Sequence, residues 1–154
     1  MIPMTDVSKL LYAAALFVAL PHMGALAADH TVWMKGSGEQ PMVFDPAFLK
    51  IAARDTVTFT PRDAGHSVES VSGPEGTEPF YGSLDRELKV TFSAEDLYAY
   101  RCPPHVETGM VGLIQVGDAT TGADSAATAA AAMPAKAKSR MKALLAEAGV
   151  AVSN

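Results

Sequence analysis

Cys102, His105 and Met110 stand at Cys-x2-His-x4-Met spacing in the stretch YRCPPHVETGM, and Cys102 is the only cysteine in the 154-residue chain. A lone thiol is often just a small core hydrophobe, and a lone methionine a gap-filler. Together with a histidine they are a ligand set. Cys102 ends one apolar stretch and Met110 begins another, so the loop between them returns on itself and can turn all three side chains to one point. A second imidazole has few sources. His22 lies in the leader, His30 at the start of the mature chain, and His66 in DAGHSVES, beside a glycine that permits a tight approach. Two imidazoles and a thiolate, with a thioether as a weak fourth donor, are the set used for blue-copper electron transfer. Thiolate and thioether favour Cu(I), and imidazoles also suit Cu(II). Such a set accepts both oxidation states. Zinc is the rival, since two histidines and a cysteine with an open position also occur at catalytic zinc. A methionine adds little for zinc, and although Glu107 lies in the loop, the spacing places no obvious carboxylate base. Pro103 and Pro104 restrict the loop backbone and bring no N–H to the Cys102 sulfur.

The compartment bears on that thiol. Lys9 precedes an apolar run from Leu10 to Leu20, Pro21 breaks it, and Ala25-Leu26-Ala27 forms a small-x-small site. This predicts a secretory signal peptide over residues 1–27, cleaved after Ala27. The run is too short for a spanning helix, which needs about 20 residues. The leader holds one Asp and one Lys, so its loss leaves the net charge at −5. No basic cluster suggests nucleic acid, and no other stretch suggests a membrane span. A single cysteine in an exported chain points to a free thiol, an intermolecular bridge or a metal ligand. A bound metal would protect it from oxidation.

The elements that must position these residues read as strands. HTVWMKG (30–36), MVFDP (42–46) and FLKIA (48–52) come first. DTVTFTP (55–61) alternates, with Val57 and Phe59 inward. LKVTFS (88–93) alternates likewise through Leu88, Val90 and Phe92. LYAYRC (97–102) and MVGLIQVGD (110–118) complete the set. Short strands at close intervals, broken by Gly, Pro and Asp, predict an all-β sandwich or barrel over residues 28–118. Residues 71–87 show no period and read as a loop across one edge. After Asp118 the composition turns Ala-rich, and 119–133 suits either a helix or a linker. Pro134 then stands at the first-turn position of a helix that Gly149 ends. Met141, Leu144, Leu145 and Ala148 share one face, which predicts packing of residues 119–154 against the sandwich.

With these pieces in place the chain resembles the cupredoxins, and among them the pseudoazurins. The resemblance rests on ADHTVWMKG and MVFDPAFLKIAARDTVTFTP at the start, GHSVE around His66, YRCPPHVETGMVGLIQVGD, and the helical tail PAKAKSRMKALLAEAG. It implies an eight-stranded Greek-key sandwich with a C-terminal α-helical extension. It implies one type 1 copper ion held by His66, Cys102, His105 and Met110. It also implies a monomeric periplasmic carrier serving a nitrite reductase, another periplasmic oxidoreductase or a cytochrome c. The chain departs from that pattern at Ser67, where the family usually has Asn, at the Pro103-Pro104 pair, and in its charges. Ala64 and Glu107 stand where a basic docking ring is expected, leaving Lys35 and Arg101 as candidates for the rim. No substrate pocket or acid–base pair suggests an enzyme. A copper-delivery protein is the alternative, but such proteins expose several Met or Cys ligands on mobile segments, whereas here one compact set sits on a short loop.

Overall fold

The computed structural model describes residues 26–151, so residues 1–25 of the expected leader lie outside it. Eight strands form two mixed four-stranded sheets. They are β1 (Asp29–Lys35), β2 (Val43–Asp45), β3 (Phe48–Ile51), β4 (Thr56–Pro61), β5 (Glu69–Ser72), β6 (Leu88–Thr91), β7 (Asp96–Arg101) and β8 (Val111–Val116). One sheet runs β2-β1-β4-β6 and the other β3-β8-β7-β5. β1 pairs with β4 in parallel, as β3 does with β8, and the remaining pairs are antiparallel.

Alternation explains the first sheet. Val57 and Phe59 of β4 are wholly buried while their threonine neighbours are half-buried. β7 and β8 need another explanation, because nearly every residue in both is buried. Each strand is covered on both faces, which gives continuous apolar runs instead of alternation. Tyr98, Tyr100, Ile114 and Val116 face the aromatic core between the sheets. There the Tyr100 ring meets Phe44 and Phe59 edge-on at centroid distances of 4.8 and 5.2 Å. Leu97, Ala99, Val111 and Leu113 face outward into a second core under two helices, α1 (Ala123–Ala131) and α2 (Ala135–Glu147). Ala126, Ala130, Ala137, Met141, Leu144 and Leu145 close that core. Alanines let the helices lie close to the sheet.

Two stretches left open or misjudged by sequence pattern are settled here. The Ala-rich segment is helical through α1. The expected 71–87 loop begins later than its composition suggests, because Glu69–Ser72 is an edge strand paired with β7 across a register irregularity. All four of its residues are half-buried, so no alternation marks it.

β4 and β7 both run toward the same end of the sandwich. His66 follows β4, and Cys102 follows β7 directly.

Candidate metal centre

Cys102, His105 and Met110 sit on one closed loop. Pro103–Thr108 forms a 3-10 turn with a proline at its start, and Gly109 ends it with a left-handed φ of +91°. The Cys102 N–H donates to the Met110 carbonyl at 3.0 Å, and the Met110 N–H to the His105 carbonyl at 3.1 Å. The first bond joins the two loop ends, and the second ties the Met110 end to the middle. Gly109 packs against α2, where a Cβ would lie 3.4 Å from Lys136. From α2, Arg140 donates to the Gly109 carbonyl at 2.8 Å and to the Met42 carbonyl at 3.4 Å.

His66 arrives from the other loop. Gly65 before it has φ +95° and lies beside the His105 ring. The His66 ring is fully buried and its Nε2 lies 3.3 Å from the Gly36 carbonyl. A carbonyl only accepts, so Nε2 carries the proton and Nδ1 keeps its lone pair. A partner of this kind orients a ligating histidine. Gly36 must be glycine: its φ is +119°, and a Cβ would fall 2.3 Å from the Pro41 carbonyl oxygen.

The three donors converge. His66, Cys102 and His105 each offer a ligand atom, all within 4.8 Å of one another. The Cys102 sulfur is 3.9 Å from His66 Nδ1 and 3.6 Å from His105 Nδ1. Atoms held about 2.1 Å from one ion at trigonal angles stand about 3.6 Å apart, so the observed spacings suit a single metal. Met110 is fully buried in the aromatic core cluster beside Cys102. His30, by contrast, is far away and pairs with Asp55.

The electrostatics suit a cation. Burial pushes the Cys102 thiol up, the backbone N–H groups of Ser67 and His105 pull it down, and the Asp85 carboxylate adds to the rise. With a metal bound there, Cys102 would be held as the thiolate. Burial, and then the His66 ring, hold the His105 imidazole below its usual value, which favours the neutral form a metal requires. The two ring centroids are 4.8 Å apart.

The family comparison agrees with this donor set. Residues 30–117 match the family described as copper binding proteins, plastocyanin/azurin family.

The chain belongs to the plastocyanin/azurin family of copper-binding proteins.

Within this family it is similar to the pseudoazurin of Paracoccus pantotrophus, with 44% identity over 138 residues that cover 88% of this chain and 93% of the relative. Of the solved structures, the pseudoazurin of Methylobacterium extorquens AM1 superposes with a TM-score of 0.70 at 32% identity, covering 77% of this chain and 98% of that one. The pseudoazurin of Hyphomicrobium denitrificans gives 0.66 at 34% identity, covering 81% and 99%. The fold is thus the cupredoxin sandwich, and the cofactor of this cupredoxin is copper.

Sequence pattern did not reveal the groups that hold the centre from outside: Gly36, Asp85 and Arg140. Asp85 and Arg140 act on backbone atoms distant in the chain, and Gly36 offers its own carbonyl to the His66 ring; no local spacing encodes either. The two expected rim cations are both engaged. Lys35 lies 2.5 Å from the Asp45 carboxylate, and Arg101 lies 3.3 Å from that of Glu69.

Proposed function

We propose that this cupredoxin is a diffusible one-electron carrier in which His66, Cys102, His105 and Met110 hold a type 1 copper ion. The copper supplies a Cu(II)/Cu(I) couple, and the chain supplies everything else. The carrying observation is the convergence of one thiolate and two imidazole donors at the end of a rigid sandwich, with only His105 partly exposed. His66 and Cys102 are wholly enclosed, which excludes water and oxidants from the sulfur. The His105 ring links the interior to the surface and is the route for the electron. Met110 would add a weak thioether donor that tunes the potential. Enclosed ligands on a braced loop favour a resident ion over copper delivery.

We also propose cleavage after Ala27, a periplasmic location, and an oxidoreductase partner such as a nitrite reductase, or a cytochrome c. Among the described residues no helix is long and apolar enough to cross a membrane. Docking by Lys35 or Arg101 is weakened by their carboxylate neighbours. Lys136, packed against Gly109 and in no ion pair among the described residues, is the better cation for the rim.

A visible spectrum of the copper-loaded, oxidised protein tests the reading. Intense thiolate-to-copper absorption is expected, and Cys102→Ser should abolish it. Colourless protein with ordinary tetragonal copper resonance would remove the proposal. Met110→Leu should keep copper and raise the reduction potential, because losing a soft donor leaves Cu(II) less stabilised. An unchanged potential would exclude Met110 as the axial ligand.

A further inference from the structure

Asp85 comes from the aperiodic stretch between β5 and β6, nineteen residues beyond His66. It nevertheless meets His66 on both sides of its backbone. One carboxylate oxygen accepts the Gly65 N–H at 2.6 Å and the His66 N–H at 3.1 Å. The Asp85 N–H in turn donates to the His66 carbonyl at 2.8 Å. This closes a ring of hydrogen bonds around the residue that brings Nδ1 to the centre. Its backbone sits at φ +55°, a left-handed conformation that Asp and Asn tolerate better than other side chains. Bonds from N–H groups to an ionised carboxylate are stronger than neutral ones.

The same carboxylate lies 3.1 Å from the backbone N of His66, which places its negative charge beside a residue that offers a donor to the centre. A fixed negative charge beside a metal favours the more positive oxidation state. The outer side of Asp85 is exposed, so the residue stays hydrated there while its inner oxygen serves the loop.

We propose that Asp85 is a positioning residue of the metal centre, gripping the His66 backbone so that Nδ1 stays at the common point and biasing the centre toward its oxidised form. This rests on the copper reading above. Without it, the Gly36 carbonyl at the ring and the turn at Gly65 are left to orient His66. Asp85 ties that turn to the chain leading into β6, just as Arg140 ties the Cys102 loop to α2.

Two variants separate grip from charge. Asp85→Asn retains an oxygen acceptor and the left-handed backbone but loses the charge. Asp85→Gly keeps the backbone free and loses both. For Asp85→Asn the expected result is a raised reduction potential with absorption and copper-resonance parameters close to the parent's. For Asp85→Gly the potential should rise, the charge-transfer bands and copper hyperfine splitting should shift, and the Gly65 and His66 amides of copper-free protein should exchange about ten-fold faster or more. Parent-like spectra and amide exchange in Asp85→Gly would overturn the positioning role. An unchanged potential in Asp85→Asn would overturn the electrostatic one. A parent chain with no thiolate-to-copper band would sink the copper reading and the electrostatic role with it, whereas amide exchange in the copper-free protein still decides the grip.

Discussion

The two ends of the sandwich solve the same problem in different ways. β4 and β7 are each entered past a buried aspartate and each lead toward a candidate ligand. Asp55 precedes β4 and binds the Ala28 N–H at 2.8 Å, the His30 ring at 2.8 Å and the Ala52 N–H at 3.0 Å. Asp96 opens β7 and accepts from Thr121, from the Gly122 N–H at 2.7 Å and from the Leu97 N–H at 2.9 Å. Hydrogen bonds, that from Ala28 foremost, hold the Asp55 carboxyl below its usual value. Burial alone would raise Asp96, but its donors outweigh that and hold it low. At this end both buried aspartates meet protein donors. At the other end a sulfur and two ring nitrogens, all electron-pair donors, face one another. That arrangement is complete only with a cation. One end is finished by the chain, and the other is prepared for metal.

The strongest way to break this comparison is to remove copper. Binding to the folded state alone stabilises by about 4 kcal/mol at a thousand times the dissociation constant. Calorimetry should show a much lower melting temperature for the copper-free protein. Amide exchange should rise around residues 64–67 and 102–110 and stay unchanged around Asp55 and Asp96. Loss of protection spread evenly over both ends would refute the division.

Asp55→Asn should do the reverse, at smaller cost. Losing a buried charged acceptor with several donors costs about 1–3 kcal/mol. Since the folded carboxyl is depressed, its stabilisation is fully present above about pH 4 and is lost as pH falls through the lowered value. The variant should therefore be less stable at neutral pH and lose less on acidification. Denaturant melts across pH would check this, with an unchanged copper spectrum confirming that the far end is untouched.

The smallest effect lies between the ends. The Tyr100 hydroxyl is buried with no hydrogen-bond partner among the described residues, and burial holds it far above the ordinary tyrosine value. Gly112 makes room for it, since a Cβ there would fall 2.3 Å from the Tyr100 ring. Tyr100→Phe removes an unsatisfied group and should stabilise by about 1 kcal/mol, leaving both ends as they are. A loss of stability in urea melts would mean that the hydroxyl is satisfied after all.

The same division governs what the sequence discloses. β4 is legible because water bathes one face, which leaves Thr56, Thr58 and Thr60 between Val57 and Phe59. The β8 run is legible as apolar, but the helices that cover its outer face are what explain it. β5 has neither pattern, being a half-buried edge. At the centre, the loop from Cys102 to Met110 is a local motif and reads directly. His66 is no local partner of that motif and is legible only as one of four histidines in the chain. Asp85, Arg140 and Gly36 reach the centre through groups distant in sequence, several of them main-chain, which any residue type can provide. The charge of Lys35 and Arg101 was plain, but their carboxylate neighbours come from strand pairing.

Arg140 has a consequence for the order of events during synthesis. His66 is made early and the Cys102 loop later, but the guanidinium that grips the Gly109 carbonyl follows 31 residues on, within the last helix. A chain still emerging can pair its strands and bring all its ligands together before that helix exists. An ion captured then meets a loop without its outer brace. A chain truncated before α2 would lack that brace on the Gly109 carbonyl, and its loop should hold a metal less firmly.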